Sequence, residues 1–166
     1  MEMSEEEKDQ DKQLTVRFDR RTVEMLGIRM YSGVVPALAE LVANAWDADA
    51  TEVTIDIPFE AAIDQMTITV KDNGIGMTFH EINNEFLVVG RNRRKEKGDL
   101  TPIFRRKVMG RKGIGKFAML GIAHKIEIQT IKDGEIVVFE IDYNNLIENI
   151  DKQPNYEPYH PPINER

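Results

Sequence analysis

Residues 36–50, PALAELVANAWDADA, are the stretch that most restricts what this chain can fold into. One set of apolar side chains recurs at the spacing of a single helix face: Leu38, Leu41, Val42 and Ala45. Glu40, Asn44 and Asp47 fall on an adjacent face, at i, i+4 and i+7. A solvated face is the simpler explanation of such a polar row, but Asn and Asp are poor helix formers. We therefore predict a helix from Pro36 to about residue 48 that packs on a core and binds a ligand beside it.

The segments around this helix predict a fold that combines strands and helices. Strand-like alternation occurs in EVTIDI, MTITV, KIEIQTI and EIVVFEI, and Asp133-Gly134 between the last two is a hairpin signal. Thr78 and Glu81 form a capping box that opens a helix through FHEINNEF. The other predicted elements are a strand at LTVRF, a helix near 20–30 capped by Asp19, and a helix near 115–122.

The composition is that of one ordinary soluble domain, with 166 residues of which 41% are hydrophobic and 31% charged. The absence of cysteine excludes disulfides and cysteine-based zinc sites and suits a reducing compartment. The longest apolar run, FAMLGIA, is too short to span a bilayer. We therefore expect a cytoplasmic protein without membrane contact. Residues 1–13 are expected to be a disordered acidic tail, and residues 151–166 a proline-rich tail or a linker to a further region.

The stretch KDNGIGM, residues 71–77, follows directly on an apolar strand. Gly74 and Gly76 lack a Cβ atom, so they permit a sharp turn and a close approach of a ligand to the backbone. Hairpins and calcium loops use similar residues. However, DNGIGMTFHEIN supplies neither the alternate oxygen ligands nor the closing Glu of an EF-hand loop. Metal binding by this loop alone is therefore not expected.

Residues 90–116, called the basic segment below, contain eleven Lys or Arg and only two acids, in a chain whose net charge is −7. A solvated loop would explain this charge. The other explanation is a segment that closes over a polyanion, such as a nucleotide triphosphate or a nucleic-acid backbone. Because the basic segment has few apolar residues and no counter-ion of its own, we expect it to be mobile when nothing is bound.

Within the basic segment, GRKGIGKFA at residues 110–118 has the G-x-x-x-x-G-K spacing of a P-loop. A Walker loop follows an apolar strand and places Ser or Thr after the Lys, where the hydroxyl binds magnesium. Here FRRKVM precedes the glycines and Phe117 follows Lys116. The glycine spacing is therefore not evidence for a P-loop NTPase.

Three stretches together resemble the nucleotide-binding motifs of the GHKL ATPases, which include gyrase B, the large heat-shock ATPase chaperone, histidine kinases and MutL. These are ELVANAWDADA, DNGIGM and GRKGIGKFA, in this order and spaced by about thirty to forty residues, and we call them the first, second and third motifs. The resemblance covers residues 14–150 and is closest to prokaryotic relatives of the MORC ATPases. It implies the Bergerat fold, an α/β two-layer sandwich with a mixed, largely antiparallel sheet and helices on one face.

The resemblance also implies a role for each matching residue. Asn44 would supply an oxygen to Mg²⁺, and Glu40 one turn earlier would orient and deprotonate the attacking water. Asp72 would accept the adenine amino hydrogen. The other implied ATP-binding residues are Asp47, Gly74, Gly76 and Met77 near the base, and Gly110, Lys112, Gly113, Ile114, Gly115 and Lys116 in a lid that ends at a helix N-terminus near the phosphates.

The implied cofactors are ATP and Mg²⁺, and the implied activity is slow ATP hydrolysis. Lid closure and homodimerisation in the full-length protein would operate a larger machine, one acting on DNA. Glu40 favours hydrolysis over phosphotransfer to a protein histidine. The alternative is an ATP-gated nucleic-acid-binding or protein-interaction module without significant hydrolysis, in which residues 91–112 contact DNA.

Two features of GHKL relatives have no clear candidate in the chain after the hairpin. One is a Thr in the adenine pocket, on a strand beyond the third motif. The other is a Lys that reaches the γ-phosphate from a following domain. We therefore expect residues 1–166 alone to form an incomplete domain with weak ATPase activity.

Overall fold

The computed structural model describes residues 16–17, 33–62, 66–88, 98–110, 115–150 and 155–160. Strands and helices follow one another along the described chain. In chain order they are β1 (Val16–Arg17), α1 (Val34–Asp47), β2 (Val53–Asp56), β3 (Thr69–Asp72), α2 (Phe79–Glu81) continued by a π-helical turn (Ile82–Phe86), a 3-10 helix (Gly115–Gly121), β4 (Lys125–Lys132), β5 (Glu135–Asp142), α3 (Tyr143–Ile150) and β6 (Asn155–Tyr156).

Every strand pair within the described ranges is antiparallel: β4 with β5, β2 with β3, and β1 with β6. The largest is the β4–β5 hairpin, whose register runs from Lys125↔Asp142 to Lys132↔Glu135. Its turn is Asp133-Gly134, with φ of 52° and 81°. Two successive left-handed residues match the right-handed twist of the flanking strands, so the turn predicted from the sequence is confirmed.

The core lies against one face of the β4–β5 hairpin. Phe139 and Ile141 on β5 are almost fully buried, and α2, the 3-10 helix and α3 cover them. The residues of this core are Ile82, Leu87, Leu120, Ile126, Val137, Phe139, Ile141 and Leu146. Burial of each large apolar side chain contributes about 1.5 to 3 kcal/mol. The predicted class is confirmed, since helices pack on antiparallel strands in an α/β arrangement.

The first-motif helix and the capping box agree with their predictions. The predicted helix from Pro36 to about 48 is α1, which ends at Asp47. At the start of α2, the Thr78 hydroxyl accepts from the N–H of Glu81, and the Glu81 carboxylate accepts from the N–H of Thr78. Both halves of the capping box are therefore present.

The predicted strand MTITV begins later than expected, because β3 starts at Thr69. Thr69 pairs with Asp56, the last residue of β2, and Pro58 follows closely. A proline has no N–H for the ladder, so residues 66–68 have no partner strand to extend β3.

The chain after β5 contains more structure than the sequence predicted. The Asp142 carboxylate accepts from the N–H of Asn145 at 3.0 Å, which caps the start of α3. Residues 155–160 belong to the segment expected to be a tail. They include β6 (Asn155–Tyr156) and an isolated bridge, in which the N–H of Glu140 donates to the carbonyl of Tyr159 at 2.8 Å.

Several expectations fall outside the described residues. These are the acidic tail 1–13, the helix near 20–30 and all of LTVRF except Val16 and Arg17. Among the helices that the structure describes, none is long and apolar enough to cross a lipid bilayer.

Candidate functional site

Helix α1 carries the polar row of the first motif. Glu40 and Asn44 are half-buried, and Asp47 at the end of the helix is only 5% exposed. Glu40 and Asn44 are four residues apart, so they lie about one turn from each other on the same face. The 3-10 helix that begins at Gly115 packs against α1. The third motif and the first motif are thus neighbours in the fold.

Residues 47–52, from the last residue of α1 to the start of β2, form what we call the junction. The second motif docks on it through its backbone and one side chain. The N–H of Ile75 donates to the carbonyl of Ala48 at 2.9 Å. The Asn73 side-chain oxygen accepts from the N–H groups of Thr51 and Glu52, at 2.8 and 3.0 Å. Asn73 was not singled out in the sequence, although an Asn beside a turn glycine is a common backbone-binding residue.

Asp72 and Gly74 form a tight turn at the start of the second motif. Asp72 is exposed, and its Oδ1 accepts from the N–H of Gly74 at 2.8 Å. A Cβ on Gly74 would lie 2.8 Å from the carbonyl oxygen of Ala48. The absence of a side chain at Gly74 therefore lets the loop touch the junction. The close backbone approach predicted for a ligand is made by the protein itself at this position.

Gly76 and Met77 lie against strand β4. Gly76 has φ of +64°, and a Cβ there would be 2.0 Å from the carbonyl oxygen of Ile131. The N–H of Met77 donates to the Thr130 hydroxyl at 2.9 Å. Thr130 is partly buried between two exposed residues of β4, and its hydroxyl lies toward the second motif.

Thr130 changes one expectation from the sequence. No clear candidate for a Thr near the second motif was found in the chain after the hairpin. The structure has one on the first strand of the hairpin, which is also beyond the third motif. The sequence pattern of a strand shows which side chains share a face, but it does not show what a hydroxyl on that face binds until the strand register is known. Thr130 was therefore not identified from the sequence.

The third motif is connected to the first through Asp47. Its Oδ1 accepts from the N–H of Met109 at 2.7 Å, and its Oδ2 accepts from the N–H of Gly110 at 2.9 Å. A Cβ on Gly110 would lie 3.0 Å from Oδ2, so the contact is close. Lys112, Gly113 and Ile114 lie outside the described residues.

The helix predicted near residues 115–122 is present in the structure. Gly115 begins a 3-10 helix of 7 residues, where the sequence predicted a helix near 115–122 without specifying its kind. The side chain of Lys116 is outside the described part of the structure. A 3-10 helix also starts with unpaired N–H groups, but it is short and its hydrogen bonds are less well aligned.

The described part of the basic segment, residues 98–110, packs on the junction. The Trp46 indole N–H donates to the carbonyl of Lys107 at 3.1 Å, and the Arg106 guanidinium donates to the carbonyl of Ala50 at 2.6 Å. The guanidinium lies 4.6 Å from the ring centroids of both Trp46 and Phe104. The sequence, which has few apolar residues in this segment, did not predict these contacts.

Asp49 is the acid that the sequence prediction missed. It is 4% exposed, and its two carboxylate oxygens accept from the N–H groups of Ile103 and Phe104, at 2.7 and 3.2 Å. Burial would raise the pKa of Asp49. Hydrogen bonds from Thr101, Ile103 and Phe104, together with the charge of Arg106, outweigh burial and lower it. The basic segment therefore has a carboxylate partner, but that partner lies outside it in sequence.

An ion pair holds α2, the helix that follows the second motif, against strand β4. Lys132 on β4 lies 2.6 Å from a carboxylate oxygen of Glu81, and both side chains are about a quarter exposed. Burial would raise the pKa of Glu81, but the hydrogen bond and charge of Lys132 and the hydrogen bonds from Thr78 lower it. The ion pair connects α2 to the strand that carries Thr130.

A sequence model of the histidine kinase-, DNA gyrase B-, and HSP90-like ATPases matches residues 31–165, which is most of the chain and includes all three motifs. The chain belongs to this family of ATPases. The assignment agrees with the α/β fold and with the meeting of the three motifs at α1 and the junction.

Among curated relatives, a protein of Herpetosiphon aurantiacus named "Putative type II restriction enzyme HgiDII" is 44% identical over 117 residues. The matched region is 70% of this chain and 18% of that protein. The chaperone protein HtpG of Mycolicibacterium vanbaalenii is 30% identical, over 70% of this chain and 21% of the chaperone. HtpG of Fusobacterium nucleatum is 27% identical, over 82% and 26% respectively. The chain thus spans about a fifth to a quarter of the length of these relatives.

Proposed function

We propose that this chain binds ATP with Mg²⁺ and hydrolyses it slowly, and that the basic segment closes over the phosphates. One observation carries the proposal: the junction holds the second motif at Ala48 and the third motif at Asp47. Three stretches that lie far apart in sequence thus meet at the end of α1, the helix on which Glu40 and Asn44 are only half-buried. Family membership supports nucleotide binding as the purpose of this arrangement.

The base would bind at the second motif. Asp72 is exposed, and only its Oδ1 is engaged in the described ranges, by the N–H of Gly74. Its other oxygen is then available to the adenine amino group. Half-buried Met77 would provide an apolar wall, and the Thr130 hydroxyl that binds its N–H would form a second polar contact nearby.

The metal would be held by Asn44, whose side chain on α1 is half-buried. The described residues contain no cluster of three or more His, Asp or Glu that could hold a metal ion by itself. Mg²⁺ commonly takes only one or two protein ligands and completes its octahedron with phosphate oxygens and water. When bound, it would neutralise phosphate charge. Glu40, one turn away, would orient a water and accept its proton.

The phosphates would contact the third motif. Asp47 fixes the N–H groups of Met109 and Gly110, so the start of this motif is held next to α1. We propose Gly113, Ile114, Gly115 and the cations Lys112 and Lys116 as the phosphate-binding residues. Positive charge in this position would favour a triphosphate over a neutral nucleoside.

The whole protein would use this cycle to operate a DNA-acting machine through ATP-dependent homodimerisation. A relative that is 44% identical carries the name "Putative type II restriction enzyme HgiDII", and Arg105 and Lys107 of the basic segment are exposed cations. The second candidate is an ATP-gated nucleic-acid-binding or protein-interaction module without significant hydrolysis. The same exposed cations favour that candidate, since phosphate backbones bind Lys and Arg independently of hydrolysis.

The test compares Glu40→Ala with Glu60→Ala, an exposed acid outside the site, in the full-length protein. Glu40→Ala is expected to keep Mg-ATP binding and to lose about 10²- to 10⁴-fold in turnover, the range for removal of a general base. Glu60→Ala is expected to behave as wild type. Normal turnover by Glu40→Ala would remove Glu40 from the mechanism. Tight binding without turnover in the wild-type protein would favour the second candidate.

A second arm examines base recognition. GTP has an oxygen where ATP has the amino group, so it would place two acceptors opposite each other at Asp72. We expect ATP to bind much more tightly than GTP, and Asp72→Ala to lose this preference. Equal affinities for ATP and GTP would place the base elsewhere.

A further inference from the structure

Asp49 adopts a backbone conformation that few residues other than glycine adopt. Its φ is 60°, in the left-handed region, where Asp is one of the more tolerant residue types. It is 4% exposed, and both of its oxygens accept from backbone N–H groups. A buried carboxylate with two specific backbone partners indicates a requirement for the side chain at a position where glycine would otherwise suit the backbone.

The partners of Asp49 belong to a closed turn in the basic segment. The N–H of Thr101 donates to the carbonyl of Arg106 at 2.8 Å, and the N–H of Arg106 donates to the Thr101 hydroxyl at 2.9 Å. Thr101 is fully buried, and Arg105 within the turn has φ of 55°. The turn is thus closed by its own hydrogen bonds, and Asp49 attaches its tip to the junction.

This attachment lies just before the third motif. The N–H of Phe104 donates to the Asp49 carboxylate, and six residues later the N–H of Gly110 donates to the Asp47 carboxylate. Two carboxylates that are two residues apart in the junction therefore fix both ends of residues 103–110. The direction in which the chain enters the proposed phosphate-binding residues is set by these two points.

We propose that Asp49 is a positioning residue: its carboxylate holds residues 101–104 and so sets the position of Gly110, the first residue of the third motif, for the binding of the ATP phosphates. This inference rests on the proposed function. Asp49 would touch neither the base nor the metal, because the second motif is docked by Ala48, Thr51 and Glu52, on other atoms of the junction. Loss of Asp49 should therefore weaken the binding of the phosphates and leave base binding unchanged.

The central variant is Asp49→Gly, and Asp133→Gly is its matched control. Both residues have left-handed φ, 60° and 52°, so glycine relieves the backbone in each case. Asp133 lies in the exposed β4–β5 turn and carries no anchor for the basic segment in the described structure. The two variants thus share the backbone effect and differ in the carboxylate that binds Ile103 and Phe104. Asp49→Asn, which tolerates the left-handed region but replaces one acceptor with a donor, is the intermediate case.

The measurements are amide hydrogen exchange without nucleotide and affinities for ATP and adenosine, all on the full-length protein. In Asp49→Gly we expect faster exchange at Ile103, Phe104 and Gly110, about tenfold weaker ATP binding, and adenosine affinity within about twofold of wild type. Asp49→Asn is expected to lie between wild type and Asp49→Gly. Asp133→Gly is expected to match wild type in all three measurements.

Each other outcome overturns the inference in a distinguishable way. Exchange in Asp49→Gly equal to that in Asp133→Gly would show that the carboxylate does not hold the turn. Faster exchange together with equal weakening of ATP binding and adenosine binding would show that Asp49 contributes only to the general stability of the fold. A wild-type protein that binds neither ligand would refute the proposed function and this role together, while exchange would still report whether Asp49 anchors the turn.

Discussion

The second motif and the basic segment dock on the same six-residue junction by opposite means. The second motif approaches through missing side chains, since Gly74 touches Ala48 and Gly76 touches Ile131 where a Cβ would overlap. The basic segment approaches through side chains of the junction, the carboxylates of Asp47 and Asp49, which bind its backbone N–H groups. The second motif thus depends on close shape together with uncharged hydrogen bonds, such as those that Asn73 accepts, whereas the basic segment depends on hydrogen bonds to charged carboxylates.

Because of this difference, we expect the two loops to respond differently to pH, salt and a bound ligand. A shape contact between backbones does not respond to pH or salt, and it has few alternative arrangements, so it suits a wall for an invariant base. A carboxylate that accepts from N–H groups can be replaced by another acceptor, such as a phosphate oxygen, when the segment moves. The comparison predicts that substitutions in the second motif affect stability most, and that substitutions in the anchors of the basic segment affect ligand response most.

The largest effect is expected for Gly76→Ala. Alanine at φ +64° carries the left-handed cost of about 1 to 2 kcal/mol and also overlaps the carbonyl of Ile131, so we expect a loss of at least about 3 kcal/mol in the free energy of unfolding. Urea denaturation monitored by circular dichroism measures this loss.

The matched control for this variant is Gly134→Ala. Gly134 has φ +81° with nothing within 4 Å of a Cβ, so it carries the backbone cost alone, about 1 kcal/mol. The difference between the two variants isolates the overlap with β4. If both variants lose the same free energy, the second motif is not held by shape.

A smaller effect is expected for Asp47→Asn. The amide keeps the volume of the carboxylate but can accept only one of the hydrogen bonds from Met109 and Gly110, which leaves a partly buried N–H without its acceptor. We expect a loss of about 1 to 3 kcal/mol in the free energy of unfolding. Amide exchange should accelerate at Met109 and Gly110 and stay unchanged at Ile75.

Equal acceleration at Ile75 would contradict the idea that the two loops are held separately. It would mean that the junction moves as one unit when either anchor is lost. Urea denaturation of the same variant distinguishes this from partial unfolding, because partial unfolding lowers the dependence of stability on denaturant.

The smallest effect that we expect is a loss of folding stability at acid pH. The pKa of Glu81 is lowered in the folded protein from its ordinary value of 4.5, so the Glu81–Lys132 pair stabilises the fold above that value. This stabilisation is lost as pH falls through the lowered pKa of the folded state. Because both side chains are partly exposed, the expected contribution is no more than about 1 kcal/mol.

Stability measured from pH 6 down to pH 3 in wild type and in Lys132→Met tests this contribution. Lys132→Met should flatten the acid-side slope and lower stability slightly at neutral pH. An identical slope in the two proteins would show that another carboxylate determines the acid response of this region.

The sequence predicted the shape contacts better than the charge contacts, for a physical reason. A glycine followed by another at short spacing indicates a turn or a close backbone contact wherever it occurs, so Gly74 and Gly76 were identified, although their neighbours Ala48 and Ile131 were not. The helix start at Thr78 and the turn at Asp133 are equally local, since their partners are within three residues in sequence.

No residue near Asp49 in the sequence indicates which groups its carboxylate binds. Its partners are 54 and 55 residues away, and an acid after a helix is most often solvated. The same holds for Thr130 and Met77, separated by 53 residues on different elements. Residues of the first motif were recognised because they follow a helical period, whereas residues that act through the chain's long-range contacts require the fold itself.

The pairing of β1 with β6 has a mechanical consequence. Val16 lies opposite Tyr156 and Arg17 opposite Asn155, so the chain that enters β1 and the chain that leaves β6 are at the same end of the pair. A force that pulls these two ends apart would open the pair one residue at a time, the weakest loading geometry for antiparallel strands. Beyond β6, however, the Tyr159 carbonyl is bound by the N–H of Glu140, inside the eight-residue hairpin partner β5. Tension from the C-terminal side would therefore meet the Tyr159–Glu140 hydrogen bond on the core strand first, and it would load the two-residue β1–β6 pair only after that bond opens.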